Sequence, residues 1–343
     1  MTDVFALLEA TEVERCMLFS DPESGLRAIL VLDDITLGPA CGGVRTARYD
    51  SFEDALADVQ RLARAMTQKC ALADLGAGGG KIVVLEHDRM DREKAFEALG
   101  GHVETLEGLF RTSGDYGTTQ ADLRAMARRT RYVHSDEDRL ALAVARGLLR
   151  CIEALQRFRG QAPRVEGLQI AIQGCGAIGA AVARVLHEEG AQLWVSDLVE
   201  ERARHLAEAT AAKVVPPEEL LHLEVDVLAP CAWGHWLDAS AAEEIAARAV
   251  CGAANNVLTG IEAARRLQAR NILHVPDAVT SAGAAVEGIG RTVMGLPDRT
   301  PLIDHLGQTA LQVLKSARDR GVTPYEAAET LARARLAEAR AKG

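Results

Sequence analysis

The chain has no surplus of positive charge: 39 lysines and arginines stand against 49 aspartates and glutamates, a formal net charge of −10. Non-specific binding of nucleic acid needs the opposite balance to neutralise phosphates, so no nucleic-acid partner is expected, and the acidic surplus favours solubility. Paired cysteines are also missing. Cys16, Cys41, Cys70, Cys151, Cys175, Cys231 and Cys251 are odd in number and scattered, with no Cys-x-x-Cys spacing and no histidines at zinc-ligand intervals. That pattern fits free thiols in a reducing cytosol and no metal site. No apolar run is long enough to span a bilayer; the stretch 140–149 is short and interrupted by Arg146, so no membrane partner is expected. The first thirty residues carry Asp3, Glu9, Glu12, Glu14, Arg15 and Asp21 in place of a basic and then apolar leader, and a cytoplasmic location is expected. Internal repeats and low-complexity segments are absent. What is there is an ordinary globular composition, 48% hydrophobic and 26% charged over 343 residues, enough for two domains with separate cores.

The residues up to about Asp136 mix strand-like runs (26–32 and 82–85) with helical ones (52–66 and 93–109), which predicts an α/β domain. A helix over 137–158 and a polar, Pro-containing connection at 159–164 lead into a more regular alternation. Strands are expected at 168–173, 192–196, 225–228 and 250–252, with helices at 177–189, 200–211 and 241–247 between them. This is the rhythm of a parallel, doubly wound sheet. The tail from Leu302 reads as two helices broken around Gly321-Val322-Thr323-Pro324.

Lys69 and Lys81 stand twelve positions apart (81 − 69), the second directly after Gly78-Gly79-Gly80. Upstream, Phe52, Ala55, Leu56, Val59, Leu62, Ala63 and Met66 recur at three- and four-residue steps, predicting an amphipathic helix. Downstream, Ile82-Val83-Val84-Leu85 predicts a buried strand. The glycines between them read as a turn that lets the backbone approach a ligand, so both ammonium groups can converge on one small anionic substrate. A close cation favours the neutral amine, which makes one of the two usable as a base near neutral pH. Standing alone, the segment fits a surface turn with two solvated lysines as well. It does not fit a phosphate-cradling Walker loop, which needs Gly where Leu75 stands and Ser or Thr where Ile82 stands.

Gly174-Cys175-Gly176-Ala177-Ile178-Gly179 matches G-x-G-x-x-G between an expected strand and an expected helix, and Asp197 ends the next strand twenty-three residues after Gly174 (197 − 174). Glycines there give a tight turn and close backbone approach, and the helix N-terminus offers its N–H groups to a pyrophosphate. Asp197 is placed to accept hydrogen bonds from the adenosine ribose and to repel a 2′-phosphate, which favours NAD over NADP; Arg202 and Arg204 downstream pull the other way.

Several further pieces occur in order: Leu37-Gly38-Pro39-Ala40-Cys41-Gly42-Gly43-Val44-Arg45, Met66-Thr67-Gln68-Lys69, Asp115-Tyr116-Gly117-Thr118, Ala229-Pro230-Cys231-Ala232-Trp233-Gly234, Gly252-Ala253-Ala254-Asn255-Asn256, and Pro276-Asp277 with Ala282-Gly283. With the glycine run before Lys81 and the dinucleotide motif, they resemble the Glu/Leu/Phe/Val amino acid dehydrogenases over nearly the whole chain, closest to the leucine dehydrogenase branch. The resemblance implies a catalytic and oligomerisation domain over 1–136, a Rossmann domain over 137–305 that binds NAD, and C-terminal helices over 306–343 returning to the first domain, with the chemistry in the cleft between domains. It further implies a homo-oligomer. Carried over by position, Lys69 corresponds to the lysine pairing with the substrate α-carboxylate, Lys81 to the one activating water, and Asp115 to the aspartate exchanging protons with the amine. Cys231, Ala232, Ala253 and Asn255 fall where the family's loops approach the nicotinamide, and Cys41 and Gly42 fall by the side-chain pocket.

Departures from the family's pattern bear on the substrate. Leu140 stands where a Thr usually is, Ser281 where an Asn helps hold the amine, Cys41 in place of an aliphatic residue, and Glu287 and His305 where Asn and an apolar residue are common. Each polar replacement in a pocket changes discrimination by a few kcal/mol. His134, His305 and the acids at 136–138 are read as a solvated helix start, with Ser135 or Asp136 as N-cap, in preference to a site for a cationic side chain. The expected activity is NAD-dependent, reversible oxidative deamination of an L-amino acid to its 2-oxo acid and ammonia. Two alternatives stand beside it: an unusual amino or imino acid in specialised metabolism, and an inactive NAD-binding paralogue.

Overall fold

A computed structural model describes Ala6, Leu8 and residues 15–134 and 139–342 of the chain. The N-cap expected at Ser135 or Asp136 and the acids at 136–138 lie outside the described residues. Two compact units emerge. One takes 15–134 with Thr292–Gly295 and 335–342; the other takes 139–291 with Leu296–Ala334. Among the described residues no helix is long and apolar enough to cross a membrane.

The first unit is built on a five-stranded sheet of β1 (Arg15–Asp21), β2 (Leu26–Asp34), β3 (Ala40–Ala47), β4 (Gly78–Leu85) and β5 (Phe110–Gly114), in the order β1-β2-β4-β3-β5. β2 runs antiparallel to β1 and β4, whereas β3 runs parallel to β4 and β5. Alternation along β2 serves two cores, since successive side chains leave opposite faces. Leu30 and Leu32 join Val44, Ile82, Val84 and Phe110 against Phe96, Leu99 and Val103 of the helix Arg92–Glu104. Ile29, Val31 and Val83 meet Ala55, Leu56, Val59 and Ala63 of the helix Phe52–Leu72.

That second helix starts at Ser51, whose side chain accepts from the Asp54 N–H, and it runs past Met66 to Leu72, so Lys69 sits in its last turn. Arg335 donates to the carbonyls of Ala71 and Leu72, each at 2.9 Å, satisfying acceptors that a helix end leaves open. The helix Pro324–Lys342 thus ends on the first unit. Gly78-Gly79-Gly80 form no turn; they open β4, and the turn lies before them. The reason is packing: a Cβ on Gly79 would stand 2.2 Å from the Thr67 backbone nitrogen, so only glycine lets the helix lie this close to the strand. Predicted helix 93–109 stops at Glu104, because Gly108 takes φ +88° and the chain reverses into β5.

The second unit carries six parallel strands, β6 (Gln169–Gln173), β7 (Gln192–Ser196), β8 (Lys213–Val214), β9 (Val227–Pro230), β10 (Ala249–Val250) and β11 (Leu273–His274), ordered β11-β10-β9-β6-β7-β8. The chain winds outward from β6 to β8, crosses back and winds outward again from β9 to β11. This is the doubly wound α/β order, with its switch point between β6 and β9, so the expected α/β class with a Rossmann unit is borne out.

Candidate active site

Lys81 lies on β4 and Asp115 just after β5, two strands that do not pair because β3 lies between them. They meet nonetheless, with Lys81 Nζ 3.0 Å from Asp115 Oδ2. β3 carries no side chain at the crossing: a Cβ on Gly43 would stand 3.0 Å from Asp115 Cβ and 2.7 Å from the Gly114 carbonyl, and one on Gly42 would stand 1.8 Å from the Gly80 carbonyl. Gly42 therefore keeps β3 and β4 together beside Lys81. Arg45, also on β3, brings its Nε to the same Asp115 Oδ2 at 3.1 Å, while its Nη1 holds Asp58 at 3.1 Å. Asp58 in turn accepts from Tyr49 OH at 2.8 Å and from Arg61 at 2.5 Å.

Lys81 thus pairs with a carboxylate, and Arg45 brings a second cation to the same oxygen. Lys81 itself is buried, its side chain 7% exposed. Burial alone favours the protonated form of Asp115, but the charges of Lys81 and Arg45, with hydrogen bonds from Lys81 and the Tyr116 backbone, outweigh it and hold the carboxyl well below the usual carboxylate range. Lys69 lies partly buried on the helix that presses against β4. Cys41 is buried on β3, its Sγ 3.7 Å from the Pro39 carbonyl, and burial pushes its thiol up to about 12; it acts as a small apolar side chain. In the sequence Arg45 stands within a motif that gives it no role, and Tyr49 and Asp58 carry no local signal.

In the second unit the glycine loop follows β6 at the switch point. Gly174 takes φ +95°, and a Cβ there would lie 2.7 Å from that of Ala232; one on Gly179 would lie 1.8 Å from the Gly174 carbonyl. These two glycines serve the turn and its packing on the helix Ala177–Glu188. Gly176 differs: nothing lies within 4 Å of where its Cβ would be, and it precedes Ala177 and Ile178 at the start of a helix with no side-chain cap. Cys175 is buried and its thiol is pushed up to about 12, chiefly by burial. Asp197 accepts from the Cys175 N–H at 2.7 Å and the Val199 N–H at 2.8 Å, which pins its carboxylate beside the loop. Arg204 is occupied by Glu200 at 2.6 Å, whereas Arg202 lines a groove of about 810 Å³ with Cys175, Gly176 and Ala177. Cys231 donates to the Gln173 carbonyl at 2.8 Å and Ala253 to the Pro230 carbonyl at 2.7 Å, so the loops after β6, β9 and β10 are tied at one end of the sheet.

A family model described as "Glu/Leu/Phe/Val dehydrogenase, dimerisation domain" matches residues 13–132, and one described as "Glutamate/Leucine/Phenylalanine/Valine dehydrogenase" matches 193–289. Leucine dehydrogenase of Thermoactinomyces intermedius is 32% identical over 97% of this chain and 93% of its own length. The chain belongs to the Glu/Leu/Phe/Val dehydrogenase family. Phenylalanine dehydrogenase of Caldalkalibacillus thermarum is 33% identical over 96% of this chain and 92% of its own. The crystal structure of L-tryptophan dehydrogenase from Nostoc punctiforme superposes with a TM-score of 0.87 at 32% identity, covering 98% of this chain and 99% of that one. Membership makes the chain an oxidoreductase.

For a Glu/Leu/Phe/Val dehydrogenase, the departures other than Cys41 fall in the second unit. Ser281 Oγ lies 2.8 Å from Asn255 Oδ1 and 2.6 Å from the Asp277 carbonyl, so its single proton serves one of them at a time and the two expected site residues are joined directly. Leu140 begins the helix Leu140–Phe158. One turn on, the Ala143 carbonyl would stand 2.2 Å from a Cβ on Gly283, which explains the Ala282-Gly283 pair as a close helix contact. Glu287 is not open to a ligand's charge: Arg299 holds it with Nη2 at 2.5 Å and Nε at 3.1 Å, both side chains buried.

Proposed function

We propose that this family member catalyses reversible, NAD-dependent oxidative deamination of an L-amino acid to its 2-oxo acid and ammonia. The observation that carries the reading is the Lys81–Asp115 contact at 3.0 Å, a base and a proton carrier held together in a buried setting. A binding module has no need of such a pair. Lys69 anchors the substrate α-carboxylate, Lys81 takes a proton from the water that attacks the α-carbon, and Asp115 exchanges protons with the amine. Gly174, Gly176 and Gly179 with the N–H groups of Ala177 and Ile178 would hold the dinucleotide's pyrophosphate and Asp197 its ribose, and the nicotinamide, when bound, would supply a hydride acceptor for the α-carbon. The fixed charge of Asp197 and the engagement of Arg204 favour NAD over NADP. Cys231, Ala232, Ala253 and Asn255 border the nicotinamide half, and Ser281, Leu140, Cys41 and Gly42 border the substrate. A homo-oligomer is in keeping with the family model's own description as a dimerisation domain.

The test is NADH formation with a panel of branched aliphatic, bulky aromatic and charged L-amino acids, and NADH consumption with the matching 2-oxo acids plus ammonium. Turnover of an apolar amino acid is expected, because Glu287 is neutralised by Arg299 and offers no charge to a substrate. NAD binding without turnover of any member would sink the reading.

Gly176 provides a separate check on the cofactor. The Cβ of a valine there would meet no protein atom within 4 Å, and Gly176→Val is expected to leave the melting temperature nearly in place. Its side chain fills the space the pyrophosphate needs, and the NAD dissociation constant rises roughly tenfold or more by calorimetry. An unchanged dissociation constant removes the loop from the cofactor site.

A further inference from the structure

Two cations converge on a single oxygen of Asp115. Lys81 Nζ and Arg45 Nε both reach Oδ2, at 3.0 and 3.1 Å. Arg45 is itself fixed from behind, because its Nη1 reaches both oxygens of Asp58, at 3.4 and 3.1 Å, and Asp58 is held by Tyr49 and Arg61. The planar guanidinium spans the two carboxylates through different nitrogens held in a rigid fork, a geometry a single ammonium does not reproduce. Arg45 therefore links the helix Phe52–Leu72 to the loop that follows β5.

We propose that Arg45 is a positioning residue of the deamination reaction: pinned by Asp58, it clamps Asp115 Oδ2 against Lys81 Nζ and so fixes the orientation in which the carboxylate meets the substrate amine. The inference rests on the role given to Asp115 above. The charged and titratable groups around that carboxyl are Lys81 from β4, Arg45 from β3 and Tyr49 ahead of the helix. Behind Arg45 the helix supplies Asp58 and Arg61, with Lys69 farther along it. Burial favours the neutral acid, so the two cations are what maintain the charge. An Asp115 that must be ionised to take a proton from the amine then depends on Arg45 through its charge as well as its geometry.

The sign follows directly. A carboxyl that loses a cationic neighbour ionises at higher pH, so in Arg45→Gln the acidic limb of the kcat/KM profile moves upward, and kcat falls roughly 10- to 100-fold because the carboxyl is misplaced. An acidic limb at its wild-type position in Arg45→Gln overturns the proposal. If Arg45→Gln does not fold, Arg45→Lys keeps it testable: the charge remains, so the limb stays near wild type, but an ammonium on a flexible stem does not fix Asp115 relative to Asp58 as the rigid fork does, and kcat falls about tenfold with NAD affinity unchanged. A wild-type kcat in Arg45→Lys overturns it. Asp115→Asn separates the two levels. If that variant retains turnover, the role assigned to Asp115 fails; if it is inactive while both Arg45 variants match wild type, only the inference about Arg45 fails.

Discussion

Replacing Lys81 with alanine is expected to lower kcat by roughly 10³- to 10⁴-fold in both directions while leaving the NAD dissociation constant within about twofold. The side chain is buried and its ammonium sits on Asp115. Truncation therefore removes the base and leaves Asp115 with Arg45 as its remaining cation. The glycine loop belongs to the other unit and is built on a separate core, so cofactor affinity has no reason to follow. Lys81→Arg sharpens the test, because arginine keeps the charge beside Asp115 but its guanidinium does not give up a proton in a protein. A base must be able to exist neutral. If Lys81 serves only to neutralise Asp115, Lys81→Arg retains most of the activity; if it activates water, both variants are inactive. Turnover near wild type in Lys81→Arg, or joint loss of turnover and NAD binding in Lys81→Ala, contradicts the assigned role. Steady-state kinetics and calorimetry on the same preparations decide it.

How much of this was legible in the chain depended on whether the cause was local. The helix Ala177–Glu188 and strands β6 and β7 each carry their periodicity within one segment, and the glycines between β6 and that helix have a spacing set by the turn itself, so the Rossmann unit could be read directly. β8, β10 and β11 are two residues long, too short for any alternation to show, and only β10 fell near an expected strand. Gly78-Gly79-Gly80 was misread because glycine in a strand looks like a turn until the partner that demands it is known. Here that partner is Thr67, on a helix that contacts β4 only after folding. The proposed catalytic pair posed the same difficulty. Asp115 and Lys81 are thirty-four residues apart (115 − 81) and meet because Gly43, from a third segment, has no side chain. Sequence motifs named the residues, but their contact and the involvement of Arg45 and Asp58 follow from sheet order, which no local pattern states.

Glu287→Ala is expected to destabilise the second unit by about 3–5 kcal/mol, or roughly 6–20 °C in melting temperature for a unit of this size. Glu287 lies on the helix Gly283–Thr292 and Arg299 just ahead of the helix Thr300–Arg320; their side chains are 10% and 8% exposed. The arginine stem lies against Gly290, where a Cβ would stand 2.8 Å from Arg299 Cγ, and its Nη1 donates to the Leu296 and Pro297 carbonyls. Removing the glutamate leaves a guanidinium buried with only carbonyl partners, and the cost of that unpaired charge exceeds what the pair contributed. The signature is non-additivity. In Glu287→Ala with Arg299→Met no charge is stranded, so the double variant loses less than the sum of the two single losses, with an interaction energy of about 1–3 kcal/mol. The two turn carbonyls lose their donor in the double variant, which keeps it below wild type. Denaturant midpoints of the four proteins provide the measurement. Strict additivity would mean that Glu287 and Arg299 are solvated separately, and Glu287 would then return as a charge available to the substrate.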